Sequence, residues 1–322
     1  MPAAGEARDP GAKPFGMQIQ TITGCNAHCV MCPAGRDDYL PAECRPISGG
    51  VGDSAKTRGK TWRMSEALFA RIVDDLAGIE GAALHLFNEP LLDPHLERRV
   101  ARIRARWPSM LQVISSNGAL LTPTRARALF AAGVTILTFG LYTSDPDRYR
   151  RFTGLDPATA WRNLDATIRA AAEYGAEVRV KVLDGLLVPG EEDRLRERFE
   201  GRYGIALHIG MLHDRAGNVR LEEPGAEPCS EFGPGGGGRA IGCLDRDRPW
   251  RVMHVLADGR VVLCCNDWDA MHVLGDLRRQ SIAEVWRGAP YQGLRRALGT
   301  SRGPRPALLC DRCKAAARCK HQ

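Results

Sequence analysis

Eleven cysteines, unevenly placed, dominate the chemistry open to this 322-residue chain. Cys25, Cys29 and Cys32 sit in the segment TITGCNAHCVMCP with the spacing C-x3-C-x2-C. Three thiolates this close can converge on one metal centre from a single loop. Three ligands suit a cubane iron–sulfur cluster that leaves one iron open, whereas a structural zinc site wants four closed ligands. A zinc knuckle completed by His28 or Cys44 is the alternative. No cysteine occurs between residues 45 and 228, and seven fall in the last third: Cys229, Cys243, Cys264, Cys265, Cys310, Cys313 and Cys319. Cys310 and Cys313 form a C-x2-C pair, and Cys243 leads into C-x15-G-x4-C ending at Cys264. The chain thus has two metal-like ends and a cysteine-free middle.

Composition narrows the setting. With 44% hydrophobic residues the chain can bury a sizeable core, and its length suggests about two domains. The net charge of +7 suits either an anionic substrate or redox partner, or simply a solvated basic surface. Arginines are scattered rather than clustered and aromatics are few, which argues against nucleic-acid binding. No run approaches the ~18 apolar residues of a membrane span. Residues 1–15 lack the apolar core of a signal peptide and read as a disordered leader. A cytoplasmic location follows as the expectation, and a reducing compartment favours metal or redox roles for cysteines over disulfides.

The elements that must position these cysteines alternate along residues 16–215. Strands are expected at Met17–Thr21, Ala83–Phe87, Leu111–Ser115, Val134–Gly140, Val178–Val182 and Ile205–Ile209. Helices are expected at 65–78, Pro94–Trp107, Thr122–Ala132, Pro157–Tyr174 and Glu191–Tyr203, each carrying apolar residues at helical spacing. Six β-then-α units argue for an α/β fold with a parallel sheet covered by helices. Six is short of the eight of a closed barrel. The strand C-termini would still surround a single site. A Pro/Gly-rich connector, residues 216–240, precedes a segment (241–322) with a hairpin signal, Val252–Leu256 and Arg260–Cys265 around Asp258-Gly259. Within the insert 36–62, Cys44 reads as an incidental thiol. His85, His208 and His254 read as core or hydrogen-bonded residues, and Tyr142 and Asp145 as candidates to line a cavity.

In its C-x3-C-x2-C loop after the first strand, the chain resembles the radical S-adenosylmethionine (SAM) superfamily. Met31 stands where that family usually has an aromatic residue. Asn88-Glu89-Pro90 after the second strand resembles the family's Gly-Glu-Pro motif, with Asn88 in place of Gly. Ser116 and Asn117 sit at the end of the third strand. The resemblance implies a partial (β/α)6 TIM-like barrel and a [4Fe–4S] cluster on Cys25, Cys29 and Cys32. It also implies SAM chelated to the open iron, its amino group at Glu89 and its ribose at Ser116 and Asn117. Cleavage would yield a 5′-deoxyadenosyl radical, with a reductase, flavodoxin or ferredoxin as electron donor.

The C-terminal cysteines, with DGRVVLCCNDWDAMHVLGDLRRQSIAEVW, resemble the auxiliary-cluster domains called SPASM and, in shortened form, twitch. That resemblance implies a small α+β domain holding a second [4Fe–4S] cluster on Cys243, Cys264, Cys310 and Cys313, with Cys229 and Cys319 available to a further centre. Structural zinc is the alternative. If Cys264 faces the auxiliary iron, strand alternation turns Cys265 away, where its thiol either donates a hydrogen atom to a substrate radical or packs as a small hydrophobe. The leading expectation is epimerisation at a hydroxylated carbon of a sugar, aminoglycoside or cyclitol. Dehydrogenation of the same substrates comes second and peptide modification third.

Overall fold

The computed structural model describes residues 9–33, 62–210, 212, 215–218, 239–243, 247–299, 304–313 and 316–318. Cys44, Cys229 and Cys319, and most of the insert and connector, lie outside them.

The first part alternates as the sequence suggests. Its elements are β1 (Gly16–Ile19), α1 (Glu66–Asp74), β2 (Gly81–Ala83), α2 (Leu96–Arg106), β3 (Leu111–Ser116), α3 (Pro123–Ala132) and β4 (Ile136–Tyr142). Then follow α4 (Pro146–Thr153), α5 (Pro157–Tyr174), β5 (Glu177–Leu183), α6 (Glu191–Arg196) and β6 (Leu207–Gly210). Capping chemistry sets several ends. Thr122 and Asp156 accept from the first-turn amides of α3 and α5, each of which begins with proline. Gly133 and Gly175 then close those helices in the left-handed region.

β1 to β6 pair in parallel, in chain order. One face of this partial barrel buries Met17, Ala82, Ile114, Leu137 and Val180 with the helices. The register puts Gln18, Ser115, Thr138 and Lys181 on the opposite face, a polar barrel interior.

The second part supplies β7 (Ala240–Cys243), α7 (Arg248–Arg251), β8 (Val252–Val255), β9 (Arg260–Val262), β10 (Val273–Asp276), α8 (Ile282–Arg287), α9 (Ala289–Gly299) and β11 (Ala316–Arg318). β8 pairs in parallel with β1, and β9 and β10 continue antiparallel, so one nine-stranded sheet runs β10-β9-β8-β1-β2-β3-β4-β5-β6. β7 and β11 form a separate two-stranded sheet. The hairpin of the C-terminal segment therefore extends the barrel's own sheet at the β1 edge.

Several expectations need correction. The strand placed at Ala83–Phe87 ends at Ala83, because beyond it Asn88 Oδ1 captures the Leu86 amide (2.9 Å) and His85 Nδ1 captures that of Ser115 (3.1 Å). The hairpin strand placed at Arg260–Cys265 ends at Val262. The buried Asp267 carboxylate collects the amides of Met271 (2.8 Å), His272 (3.1 Å) and Leu263 (3.4 Å) and turns the chain there. α4 has no counterpart in the sequence reading. It is eight residues long and strongly charged, too short for a periodic signal, and is set by the Asp145 cap and Gly154.

Residues 9–15 of the segment expected to be a disordered leader are packed. Trp286 Nε1 donates to the Pro10 carbonyl (2.9 Å), and Lys13 Nζ donates to Asp75 O (2.6 Å) and Oδ1 (2.7 Å). Asp75 Oδ2 in turn accepts from the Ile282 amide (2.6 Å), so one carboxylate ties the leader to both α1 and α8. Among the described residues no helix is long and apolar enough to cross a membrane.

Candidate active site at the strand C-termini

The cysteine loop leaves β1 and is held from two sides. Glu89 N–H donates to Gly24 O (3.0 Å) within a bridge between Gly24 and Asn88. On the other side, His28 N–H donates to Thr153 O (2.7 Å) and Val30 N–H to Phe152 O (3.3 Å), both at the end of α4. The helix missed in the sequence is thus a wall of the site. A local turn, Cys32 N–H to Cys29 O (2.9 Å), folds the loop on itself. Burial pushes the Cys25 and Cys29 thiols up, and each is raised further by neighbouring cysteines and by Glu89. A loop that draws one buried and two half-buried cysteines together beside a carboxylate suits a cationic metal centre, which replaces their protons.

The residues expected to meet SAM interlock around Glu89. Its Oε1 accepts from Leu91 N–H (3.0 Å) and Ser116 Oγ (2.8 Å), and its Oε2 from Asn117 N–H (2.9 Å). Burial pushes this carboxyl up, and those hydrogen bonds oppose the shift. Ser116 Oγ also accepts from Gly118 N–H (2.9 Å). The Asn117 side chain turns to the cysteine loop, with Nδ2 donating to Asn26 Oδ1 (2.9 Å) and Cys25 Sγ (3.6 Å). Asn88 Nδ2 is buried with no partner among the described residues, a donor placed beside the Gly24 bridge that suits a ligand carboxylate.

Tyr142 ends β4 with φ +64°, in the left-handed region, next to a register shift. Its ring folds back over Gly140, where an added Cβ would lie 2.8 Å from the hydroxyl and 2.9 Å from Cζ. The ring packs edge-on against Phe152 at 5.6 Å. Burial and the three nearby cysteines hold its phenol well above the usual range. Asp145 does not share that position; it caps α4 through the Arg148 amide (2.8 Å). His254 is buried, and burial with the Arg248 charge keeps it uncharged. His208 is exposed.

The second cysteine group gathers from three places in the chain. Cys243 at the end of β7, Cys264 beyond β9, and Cys310 and Cys313 around a short 3-10 turn all line one cavity. Ala216, Arg248, Leu263 and Leu309 are among its other walls. Asp311 anchors the turn, accepting from the Ala240 (3.0 Å) and Leu308 (2.9 Å) amides and from Arg305. Burial with Cys313 and Cys243 pushes the Cys310 thiol up to about 12. Among the described residues no three His, Cys, Asp or Glu stand as a single-ion site; these four cysteines line the walls of a cavity instead. That arrangement and donor set fit a cluster ligated at separate corners. Cys265 is half-buried and is not among the cavity walls. Strand alternation does not set its direction, since β9 has already ended at Val262.

Residues 215–218 connect the two groups, which the sequence did not reveal. Arg215 Nη2 lies 3.4 Å from Met31 Sδ, Ala216 lines the second cavity, and Asn218 Nδ2 donates to Asn266 O (2.7 Å). Arg215 and Ala216 both have positive φ, 51° and 60°.

Comparison with known proteins agrees with this arrangement. Residues 19–200 match the Radical SAM superfamily, and residues 243–314 match SPASM, an iron–sulfur cluster-binding domain. The chain is 19% identical over 300 residues (92% of this chain, 91% of the relative) to the S-adenosyl-L-methionine-dependent 2-deoxy-scyllo-inosamine dehydrogenase of Niallia circulans. It is 30% identical over 170 residues to a probable GTP 3′,8-cyclase of Methanosarcina mazei, a match covering 52% of this chain and 45% of the cyclase. The chain thus spans less than half the length of that relative. In fold it is similar to BtrN in complex with AdoMet and 2-DOIA (TM-score 0.55, 15% identity, 94% and 91% of the two chains). It is also similar to Streptococcus suis SuiB bound to its precursor peptide SuiA (TM-score 0.62, 13% identity, 88% and 67%). Its cofactors are accordingly a [4Fe–4S] cluster with SAM and auxiliary iron–sulfur chemistry, not structural zinc. The chain belongs to the Radical SAM superfamily and carries a C-terminal SPASM domain.

Proposed function

We propose that this radical SAM enzyme inverts a hydroxylated carbon of a sugar, aminoglycoside or cyclitol, with Cys265 returning the hydrogen atom. The observation that carries the reading is the placement of Cys265. It adjoins Cys264 in the turn that faces the auxiliary cavity, yet stays outside that cavity and half-exposed. In this reading Cys25, Cys29 and Cys32 hold the first cluster, while Cys243, Cys264, Cys310 and Cys313 hold the second. Asn88, Glu89, Ser116, Asn117 and Met31 frame SAM, and a reductase, flavodoxin or ferredoxin delivers the electron. When bound, SAM and the reduced first cluster supply a 5′-deoxyadenosyl radical. The chain's residues do the rest. Asn88 Nδ2 offers a donor to the SAM carboxylate. Tyr142 and Phe152 wall the cysteine loop against water. The Cys265 S–H bond would break to give its hydrogen to the opposite face of the substrate carbon radical, and the thiyl left behind would regain its thiol with one electron from the auxiliary cluster and one proton from solvent.

A second reading, dehydrogenation of a secondary alcohol in the same substrate class, is supported by the near-full-length likeness to the inosamine dehydrogenase. There the substrate radical would give up one electron to the auxiliary cluster and its hydroxyl proton to solvent instead of receiving hydrogen. The reconstituted protein, reduced and supplied with SAM and a panel of aminoglycosides and cyclitols in deuterium oxide, separates the two. Epimerisation places one deuterium at the inverted carbon, and Cys265→Ala abolishes it. A ketone product without deuterium, equally formed by Cys265→Ala, overturns the first reading in favour of the second.

A further inference from the structure

We propose that Asn117 is a positioning residue that raises the reduction potential of the first cluster, through an N–H···S hydrogen bond to Cys25. The inference rests on Cys25 being a cluster ligand. The Asn117 amide is gripped at both ends and cannot turn over. Its Oδ1 accepts from Ala119 N–H (3.0 Å), and its Nδ2 donates to Asn26 Oδ1 (2.9 Å) and Cys25 Sγ (3.6 Å). A flipped amide would set an NH2 against the Ala119 N–H and an oxygen against Asn26 Oδ1 and the sulfur, so the donor end faces the thiolate. The backbone is equally fixed. Glu89 Oε2 holds Asn117 N–H (2.9 Å), and Asn163 Nδ2 from α5 donates to Gly118 O (2.7 Å) and Ala119 O (3.2 Å). Asn117 is buried.

Reduction adds negative charge to a cluster already ringed by thiolates and close to the Glu89 carboxylate. A donor aimed at a ligand sulfur stabilises that added charge, and hydrogen bonds to the sulfurs are among the controls on iron–sulfur potentials. Cys25 also accepts from Ala27 N–H (3.4 Å), but that bond belongs to the backbone. Asn117 supplies the part that a side-chain substitution can remove. The residue at the end of β3 therefore acts on the metal centre, in addition to shaping the SAM site.

The test is a redox titration of the reconstituted, SAM-free protein, following the reduced-cluster EPR signal that responds to later SAM addition. In Asn117→Ala the potential moves to a more negative value at unchanged iron content. In Asn117→Asp it moves further, because the donor becomes a negative acceptor. SAM affinity, measured separately by equilibrium binding, falls in Asn117→Ala as well, because Asn117 also frames SAM, and the SAM-free titration reads the potential apart from that loss. An unchanged potential in Asn117→Ala, whatever its SAM affinity, would overturn the proposal and leave Asn117 with its SAM role alone. If Asn117→Ala loses iron, Asn117→Ser replaces it, since a serine hydroxyl is too short to reach the sulfur. Loss of iron in that variant as well, with secondary structure retained, also overturns the tuning role. A wild-type protein that binds no SAM-responsive cluster would refute the Cys25 assignment itself, a result distinct from all of these.

Discussion

His85 makes stability depend on pH in a way that one substitution can isolate. Its Nδ1 accepts from the Ser115 amide at 3.1 Å, so that nitrogen carries no proton in the folded state. Burial lowers its pKa from 6.5 to about 4; the Lys181 charge adds to this, and a hydrogen bond with the Val113 backbone partly opposes it. The unfolded chain has an ordinary imidazole, near 6.5. Because the folded value is depressed, the unfolded state binds more protons between the two values, and stability falls as pH drops through that window. From about pH 8 to about pH 5.5 the linkage amounts to roughly 1.4 kcal/mol, and because His85 is only half-buried solvent screening reduces it to about 1 kcal/mol. His85→Asn keeps an acceptor for the Ser115 amide and removes the titration. Anaerobic thermal unfolding at the two pH values, on both proteins, provides the assay. The wild type should lose about 1 kcal/mol more than the variant on acidification, or about 1–2 °C in midpoint. Equal pH dependence in the two proteins would refute the argument that the His85 ring is held neutral.

Three further outcomes follow from named contacts. Glu191 accepts from Thr143 Oγ1 (2.8 Å), Ser144 Oγ (2.7 Å) and Val188 N–H (2.8 Å), so Glu191→Gln must turn an NH2 toward one of these donors. The loss should be about 1–3 kcal/mol in chemical denaturation, and loosening of the β4–α4 connection should show as faster amide exchange in α4. Gly140→Ala places its Cβ within 3 Å of the Tyr142 hydroxyl and Cζ, so the ring packed on Phe152 must shift and stability should fall by about 1–3 kcal/mol. The displaced phenol should also alter the rate of 5′-deoxyadenosine formation, and an unchanged rate would remove Tyr142 from the site. Asp75→Ala severs the links to Lys13 and the Ile282 amide. It should cost about 1–2 kcal/mol and make residues 9–15 sensitive to brief proteolysis.

Much of the barrel was legible because its signals are local. Helical periodicity, proline at N1 and glycine at the C-cap marked α3 and α5 almost to the residue. β-branched runs marked β4 and β5. α4 was not legible, since eight residues, four of them charged, carry too little pattern, yet its last carbonyls hold the cysteine loop. The shortened β2 and β9 were misjudged for one shared reason. Side-chain acceptors, Asn88 and Asp267, took backbone donors that a strand would have used.

By itself the sequence pointed to the cysteines and the Glu89 and Asn117 segments as the candidate chemistry-bearing set. Cysteine spacing, with the Glu89 and Asn117 segments in strand order, requires only that ligands leave successive loops at one end of a parallel sheet. Tertiary structure decided what those side chains touch. Glu89 joins Ser116 and Asn117, Asn117 reaches Cys25 across a separation of 92 residues, and four cysteines from three segments share one cavity. It also joined the two halves through β1 and β8 and through Asp75. Spacing along a chain specifies which groups can meet within a loop. Contacts between distant segments depend on sheet register and on where each loop's hydrogen bonds are satisfied, and no local pattern records either.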